Sequence, residues 1–227
     1  MANKSIMISS CVHLGAREHR HEEFAASLAE ARRLRSDIVL IGDLLDMGMF
    51  VGTSHTGSVF DQNLNPEEQI EEAVRLLKPL KSQIRCILRG NHEERLERVS
   101  SIRANKQVAV ALGIPEVYKD TAALLQLGST KVFVAHGSNQ SDFNRVLAGR
   151  EGMDIVALGH THQLEHKKVV RRGSMGRREV SLLRCGTYLQ EPRYGQMALY
   201  PPNPIGAAWV SVSPRGRFVD LGVYPRG

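Results

Sequence analysis

The chain has 227 residues, 42% of them hydrophobic, with 30 lysines and arginines against 24 aspartates and glutamates. This composition excludes a disordered or collagen-like chain, and no apolar run reaches the ~20 residues that a transmembrane helix needs. The net charge of +6 is weak evidence for an anionic partner, and three cysteines argue against a disulfide framework. We therefore expect one domain over residues 1–227, in a reducing, cytoplasmic compartment and outside the membrane.

Short apolar segments that end in polar or glycine-rich loops recur along the first 160 residues. The predicted strands are Ile6–Ser9, Asp37–Ile41, Ile84–Leu88, Lys131–Ala135 and Ile155–Leu158. Continuous apolar strands of this kind are typical of sheets that are covered on both faces. A helical pattern over Glu22–Arg35, and a helix that begins after Asn65 and ends near Leu80, separate the first three strands. This alternation predicts parallel neighbouring strands.

After residue 162 the pattern changes to hairpins. The predicted strands are His166–Val170, Glu179–Arg184, Ala208–Ser211 and Phe218–Tyr224, with a turn at Gly173–Gly176. The stretch Met47–Asn63 has no clear period, and it is either a loop that shapes a binding site or a neutral surface insertion. The residues alone thus predict one α/β domain with a more antiparallel C-terminal half.

Polar side chains gather where the five predicted strands of the first half end. They are His13, Asp43, Asn91, His92, His136, His160 and His162, which include five of the nine histidines. In an open α/β sheet, ligands bind beyond the carboxyl ends of the strands. A lone histidine is more often structural, but five at consecutive strand ends predict a metal cluster. Imidazole and oxygen ligands suit Zn²⁺, Mn²⁺ or Fe.

Five motifs in this region resemble those of the calcineurin-like metallophosphoesterase superfamily, and they occur in the family's order. They are Cys11-Val-His13, Gly42-Asp43-Leu-Leu-Asp46, Gly90-Asn91-His92-Glu93, His136-Gly137 and Gly159-His160-Thr-His162. The resemblance implies an α/β fold with a two-sheet β-sandwich flanked by helices. It also implies two divalent metal ions and hydrolysis of a phosphoester by metal-bound hydroxide.

The resemblance further implies a role for each motif residue. Asp43 would bridge the two ions. The other ligands would be His13 and His162 on the first ion and Asn91, His136 and His160 on the second. His92 would protonate, or hydrogen-bond to, the leaving oxygen of the substrate. Asp46 either accepts a hydrogen bond from the other ring nitrogen of His92 or is a loop or helix-cap carboxylate.

Cys11 stands where the family usually has aspartate. A thiolate binds Zn²⁺ at about 2.3 Å, and a neighbouring cation lowers the pKa of a thiol. We therefore predict that Cys11 is a ligand, while the alternative is a spectator that leaves the first ion one ligand short. Cys86 and Cys185 lie in apolar runs and are predicted to be buried thiols.

The kind of phosphoester is predicted from a missing arginine. Leu88–Glu93 resembles the protein serine/threonine phosphatases, but those enzymes follow the second motif with Asp-Arg-Gly, where this chain has Asp46-Met47-Gly48. Loss of that arginine costs more for a monoester, which carries an extra charge, than for a diester. The overall motif style is more like that of bacterial and phage phosphodiesterases and nucleases, so we predict a phosphodiesterase, with a nuclease as one form of it.

Several alternatives stay open at this point. Arg89 either binds the substrate phosphate in place of the missing arginine or is a structural ion-pair partner. The enzyme could instead be a phosphomonoesterase or protein phosphatase, and in another class the chain could be a catalytically silent metal-binding scaffold. No feature of the sequence predicts an oligomeric state.

Basic residues crowd the predicted hairpin that follows the last motif: Lys167, Lys168, Arg171, Arg172, Arg177 and Arg178. They either follow a nucleic-acid backbone or form an ordinary solvated hairpin with charged edges. Because only 5% of the chain is aromatic, base stacking has little support and the ordinary hairpin is favoured. Weaker candidates for substrate contact are Arg17, His19, Arg20, His21, His55, Arg193 and Tyr194.

Overall fold

Two β-sheets pack face to face, and helices cover their outer faces. The structure, a computed structural model, describes residues 4–51, 54–56, 62–139, 141–174, 176–190, 202–213 and 216–222. The strands are β1 (Lys4–Ser9), β2 (Asp37–Ile41), β3 (Met49–Val51), β4 (Ser54–Thr56), β5 (Ile84–Leu88), β6 (Tyr118–Lys119), β7 (Ala122–Leu127), β8 (Thr130–Ala135), β9 (Ile155–Leu158), β10 (Leu164–Gly173), β11 (Gly176–Cys185), β12 (Ala207–Ser213) and β13 (Gly216–Gly222). The α-helices are α1 (His21–Arg33), α2 (Pro66–Leu77), α3 (Asn91–Ser100), α4 (Ala104–Ala111) and α5 (Asp142–Gly149), and 3₁₀ segments cover Lys78–Gln83 and Pro115–Val117.

The strand order brings the carboxyl ends of parallel strands from both sheets to one edge. The first sheet has the order β13-β12-β1-β2-β5-β6, in which β1, β2, β5 and β6 are parallel and β12 and β13 are antiparallel to their neighbours. The second sheet has the order β10-β11-β9-β8-β7, with β8, β9 and β11 parallel. The loops after β1, β2, β5, β8 and β9 therefore form the edge at which the site is built.

The core is divided among the two sheets and their helices. Strand side chains alternate between faces, so Val39 and Ile41 on β2 point between the sheets, while Ile38 and Leu40 pack under the helices. Phe133 and Val156 on the outer face of the second sheet pack with side chains of α5. Both sheets are thus buried on two faces, which explains the continuous apolar strands.

The ends of the two predicted helices have local causes. The Asn65 side chain accepts hydrogen bonds from the backbone N–H groups of Glu67 and Glu68, and Glu68 bonds back to Asn65, which forms a capping box. Helix α2 ends at Leu77, earlier than the predicted Leu80, because Pro79 cannot donate a backbone hydrogen bond, and the chain continues as a 3₁₀ segment. Helix α1 ends at Arg33, since Arg35 has a left-handed φ of 51°.

The two-sheet sandwich flanked by helices is confirmed, and each predicted strand matches an observed one. Three helices, α3, α4 and α5, and the strands β3, β4, β6 and β7 were not predicted. The stretch Met47–Asn63 contains the short β3–β4 hairpin, and the rest of it lies partly outside the described residues, as does the predicted strand end at Tyr224. No helix in the described ranges combines the length and hydropathy required to cross a bilayer.

Candidate metal centre

The loops after β1 and β2 are joined by backbone hydrogen bonds that extend the parallel pairing of the two strands. The N–H of Cys11 donates to Gly42 O at 3.1 Å, and the N–H of His13 donates to Asp43 O at 2.9 Å. The N–H of Asp46 then donates back to Leu14 O at 3.0 Å. This ladder fixes the first two motifs against each other.

Left-handed backbone is concentrated at this edge. Of the eight non-glycine residues with positive φ in the described ranges, five are predicted ligands: Cys11 (51°), His13 (53°), Asp43 (48°), His160 (67°) and His162 (58°). Such conformations cost of order 1–3 kcal/mol each and persist where the surrounding structure fixes them, often at functional sites. The backbone strain therefore lies where the predicted ligands are.

Two glycines of the motifs allow the strand-end loops to approach each other. A Cβ on Gly90 would collide with the carboxylate of Asp43. A Cβ on Gly42, whose φ is +90°, would lie 2.6 Å from His136 Nδ1. A side chain at either position would push the second motif away from its neighbours.

His13 and His162 form the first pair of facing imidazoles. Their Nε2 atoms are 3.3 Å apart, and both rings are largely buried. His13 Nδ1 lies 3.1 Å from Asp46 Oδ1, so Nδ1 carries the hydrogen and Nε2 turns its lone pair toward His162. Two ring nitrogens at this distance either share a proton or bind a common cation.

His136 and His160 form a second pair, with Asn91 between them. His136 Nδ1 donates to Ile41 O at 2.8 Å, which leaves Nε2 directed into the site, 3.3 Å from His160 Nδ1. Asn91 Oδ1 lies 3.0 Å from His136 Nε2 and 2.8 Å from His160 Nδ1. An amide oxygen and two imidazole nitrogens thus converge on one point.

The Asp43 carboxylate lies between the two pairs. Its Oδ2 atom is 3.2 Å from His136 Nε2 and 3.9 Å from His13 Nε2. Its Oδ1 atom accepts a hydrogen bond from the backbone N–H of His92 at 2.9 Å. The carboxylate is therefore held in place on one oxygen and faces both imidazole pairs with the other.

Cys11 is buried beside the same atoms. Its Sγ accepts a hydrogen bond from His160 N at 3.3 Å and lies 3.1 Å from Ser10 Oγ. Its Sγ lies within 4.8 Å of a ring nitrogen of His13 and of His162, and also of a carboxylate oxygen of Asp43 and a ring nitrogen of His136. Burial and the Asp43 charge raise the pKa of this thiol well above its usual value. Cys86 and Cys185 are buried free thiols in the core, as predicted.

Burial keeps three of the histidines neutral. It lowers the pKa of His162 to about 3, and it also lowers the pKa values of His13 and His160, helped by the neighbouring imidazoles. Burial also opposes protonation of His136, but the Asp43 carboxylate overcomes this and raises its pKa to about 9. The three neutral imidazoles are in the form that binds metals, and His136 would lose its proton when a cation binds.

The donors present fit a divalent metal centre. Imidazole nitrogens, a carboxylate, an amide oxygen and a thiol are ligands for Zn²⁺ and Fe, and without the thiol also for Mn²⁺. Three groups among the described residues have ligand atoms close enough together to hold a metal ion: Cys11-His13-His162, Cys11-Asp43-His136 and His13-Asp46-His92. The structure thus brings all seven predicted ligands to one edge.

Asp46 connects the metal centre to His92. Its Oδ1 lies 3.1 Å from both His13 Nδ1 and His92 Nδ1, and its backbone oxygen is 2.8 Å from His92 Nδ1. Burial alone would raise the pKa of Asp46, but hydrogen bonds from the two imidazoles hold it below the ordinary value. The Asp46 oxygens therefore accept a hydrogen bond from His92 Nδ1, and the other ring nitrogen, Nε2, lies 3.0 Å from Arg95 Nη2.

Glu93 is a buried residue of the third motif to which sequence reasoning gave no role. Its carboxylate accepts hydrogen bonds from the backbone N–H groups of Asp43 (3.1 Å), Leu45 (2.9 Å) and Gly90 (2.7 Å). Burial, followed by the charge of Asp43, raises its pKa. Glu93 thereby ties the loop after β2 to the start of α3. A glutamate at the third position of a helix is a known capping signal that could have suggested this role.

Arg89 does not lie in the metal-ligand cluster. Its guanidinium forms an ion pair with Glu97 on α3, and Glu97 also binds Arg103 at 2.9 Å. These contacts favour the structural ion-pair alternative over the substrate-binding one. The arginine that contacts the site is Arg95, which sequence reasoning missed: its Nη1 and Nη2 lie 3.0 Å from the two ring nitrogens of His92.

The weaker candidates make structural contacts or lie outside the description. His19 Nδ1 donates to Val12 O at 2.8 Å, and burial lowers its pKa to about 4. Arg20 lies 3.8 Å from Glu23, and His21 lies 3.9 Å from Glu72. The side chain of His55 and all of Arg193 and Tyr194 lie outside the described residues.

The basic hairpin β10–β11 neutralises much of its own charge. Lys167 lies 2.6 Å from Glu165, and Lys168 lies 3.2 Å from Glu179. Arg178 lies 2.7 Å from Asp154 at the start of β9. These pairs match the ordinary solvated hairpin that the sequence favours.

Comparison with known proteins identifies the family of the chain. The family described as calcineurin-like phosphoesterase matches residues 4–164, a range that includes all five motifs. No curated protein matches the chain.

A solved structure with a TM-score above 0.5 shares the fold. A metallophosphoesterase from Sphaerobacter thermophilus is 18% identical with a TM-score of 0.51, and the match covers 99% of this chain and 90% of that one. A predicted phosphoesterase from Streptococcus pneumoniae TIGR4 is also 18% identical, with a TM-score of 0.49 and coverage of 100% and 95%. The chain belongs to the calcineurin-like phosphoesterase family and is a metal-dependent phosphoester hydrolase.

Proposed function

We propose that this protein is a phosphodiesterase that binds two divalent cations. The observation that carries the proposal is the pair of imidazole contacts, His13–His162 and His136–His160, that both face the Oδ2 atom of the single carboxylate of Asp43. Each contact offers two nitrogens to one cation, and the carboxylate is in reach of both. This is the arrangement that a shared bridging ligand requires.

The ligands divide between the two cations. His13, His162 and Cys11 would hold the first cation, and Asn91, His136 and His160 would hold the second. Cations held there would lower the pKa of a water and offset the charge of the phosphate. The thiol of Cys11, within 4.8 Å of ligand atoms in both groups, shifts the preference of the site from Mn²⁺ toward Zn²⁺ or Fe.

His92 serves the leaving group. Its Nδ1 atom is bound to Asp46, which holds the ring in one orientation. Nε2, which lies 3.0 Å from Arg95 Nη2, is the atom that would give a proton to the departing oxygen. Burial and the charge of Arg95 oppose protonation of His92, but Asp43 and Asp46 overcome both effects and raise its pKa, which favours the protonated, donating form. Asp46 acts through His92 and is a positioning residue.

The preference for a diester follows from the lack of a phosphate-binding arginine at positions 47 and 89. Met47, at the position of the phosphatase arginine, is fully buried in the apolar core, and its N–H donates to Gln69 Oε1 at 3.0 Å. Arg89 is bound to Glu97. Neither position therefore offers a second charge to a dianionic monoester. The paired charges of the β10–β11 hairpin add no support for the nuclease form.

The proposal is tested by giving the metal-loaded protein bis-p-nitrophenyl phosphate and p-nitrophenyl phosphate side by side, with Zn²⁺, Mn²⁺ or Fe²⁺. We expect a higher kcat/KM for the diester, and no turnover after chelation. Faster turnover of the monoester would instead indicate a phosphomonoesterase. Metal binding without turnover of either ester would indicate a catalytically silent protein.

A further inference from the structure

Arg95 lies one turn after His92 on α3, on the same side of the helix. Its Nη1 atom is 3.0 Å from His92 Nδ1, and its Nη2 atom is 3.0 Å from His92 Nε2. Nη1 also lies 3.3 Å from Asp46 O. The guanidinium therefore lies along the full edge of the imidazole, beside the nitrogen that faces the substrate.

The ionic contacts of Arg95 differ from those of its neighbours. Arg89 and Arg103 both pair with Glu97, and Arg98 pairs with Glu94 at 3.2 Å. Over the part of the chain that the structure describes, Arg95 makes no ion pair with a carboxylate. A half-buried guanidinium next to an imidazole loses hydration without gaining an opposite charge. A bound anion would supply that charge.

We propose that Arg95 binds a non-bridging oxygen of the substrate phosphate. This inference rests on the proposed function, because it takes the anion to be the phosphoester held at the metal centre. The planar guanidinium lies against His92 and still has donors to offer, which is the geometry in which arginine binds phosphate. Arg95 thus has the phosphate-binding role that the sequence suggests as one of two alternatives for Arg89.

The position of Arg95 also makes it a determinant of specificity. A monoester dianion carries more charge than a diester monoanion, so it gains more from one guanidinium. We expect Arg95 to support whatever monoesterase activity the enzyme has. Its loss then raises the ratio of diesterase to monoesterase activity, an effect that a purely structural role does not produce.

The test compares Arg95→Gln with the matched control Arg98→Gln, which removes an exposed arginine one turn later on the same helix. Binding of tungstate, a phosphate-like dianion, to the metal-loaded proteins is measured by calorimetry. Loss of charged hydrogen bonds to an anion weakens binding by about 10–100-fold, and we expect a loss of this size in Arg95→Gln. We expect a change of about twofold or less in Arg98→Gln, because an exposed ion pair contributes little. Arg95→Lys keeps the charge but not the planar fork, and should recover part of the affinity.

The same variants are assayed on both p-nitrophenyl esters, after metal content and thermal melting have shown that they are folded and loaded. Arg95→Gln should lower kcat/KM for the monoester more than for the diester. If the wild type hydrolyses esters but Arg95→Gln behaves like Arg98→Gln, the role of Arg95 is wrong and the proposed function stands. If the wild type binds tungstate through Arg95 but hydrolyses neither ester, the proposed function fails and the anion site stands. A wild type that neither binds tungstate nor hydrolyses an ester overturns both.

Discussion

The metal centre and the β10–β11 hairpin are two parts of the molecule rich in ionisable side chains, but they hold these side chains in opposite ways. At the metal centre the imidazoles are buried and turn lone pairs toward one another, with Asp43 between them. On the hairpin, Lys167 and Lys168 are exposed, and both of them and the half-buried Arg178 are paired with carboxylates. We therefore expect catalysis at the metal centre, where desolvated polar atoms are available to a ligand. We do not expect it on the hairpin, where charged side chains are most dense.

We expect the largest loss of activity when the carboxylate of Asp43, which faces both imidazole pairs, is removed. Asp43→Asn keeps the shape of the side chain but removes the charge that faces both imidazole pairs. We expect kcat for the diester to fall by roughly 10³-fold or more, because the cations supply several kcal/mol of transition-state stabilisation. Metal analysis should show fewer than two ions per chain, while circular dichroism remains that of the wild type. Full activity with two bound ions would contradict the bridging role.

His92→Ala separates proton transfer from metal binding. The Asp43 carboxylate accepts its hydrogen bond from the backbone of His92, so this contact survives the substitution. We expect kcat to fall by roughly 10²–10⁴-fold with unchanged metal content, measured by mass spectrometry of the dialysed protein. Loss of the metals in this variant would show that His92 has a structural role instead.

Cys11→Asp tests whether Cys11 is a metal ligand, since it restores the usual family residue. We expect the ratio of bound Mn²⁺ to Zn²⁺ to increase, because a carboxylate is a harder ligand than a thiolate. The direct readout is the spectrum of the cobalt-loaded protein. Wild type should show a thiolate-to-cobalt charge-transfer band in the near ultraviolet, and Cys11→Asp should lack it. A wild-type spectrum without this band would make Cys11 a spectator.

The smallest effect is expected on the hairpin. Arg172 and Arg177 are exposed and lie directly opposite each other in the β10–β11 register. The double variant Arg172→Gln, Arg177→Gln removes a like-charge pair, which should raise the free energy of unfolding by about 0.2–1 kcal/mol. Turnover of bis-p-nitrophenyl phosphate should stay within about twofold of the wild type. A large loss confined to an oligonucleotide substrate would instead support the nuclease form.

Much of the fold was predictable because buried strands have an unambiguous pattern. Asp37–Ile41, Ile84–Leu88 and Ile155–Leu158 begin and end where the sequence predicts. Helix α3 was missed because Asn91–Ser100 has only two large apolar residues, Leu96 and Val99. Its stability comes instead from the Glu93 contacts to neighbouring loops, which are tertiary.

The ligand types and their order along the chain could be predicted from the motifs, but their geometry could not. The left-handed backbone of Cys11, His13 and Asp43 depends on the pairing of two loops that are about 30 residues apart. The contact between Arg95 and His92 exists only because α3 is a helix, and the sequence pattern does not predict that helix. Contacts of this kind depend on the assembled fold.

The proposed function depends on two cations that are held by the two imidazole pairs, with Asp43 between them. Anomalous scattering from crystals of the metal-loaded protein, recorded at the absorption edge of the bound metal, tests it most directly. We expect two peaks roughly 3.5–4 Å apart, one beside His13 and His162 and the other beside His136 and His160. A single peak, or peaks remote from Asp43, would contradict it.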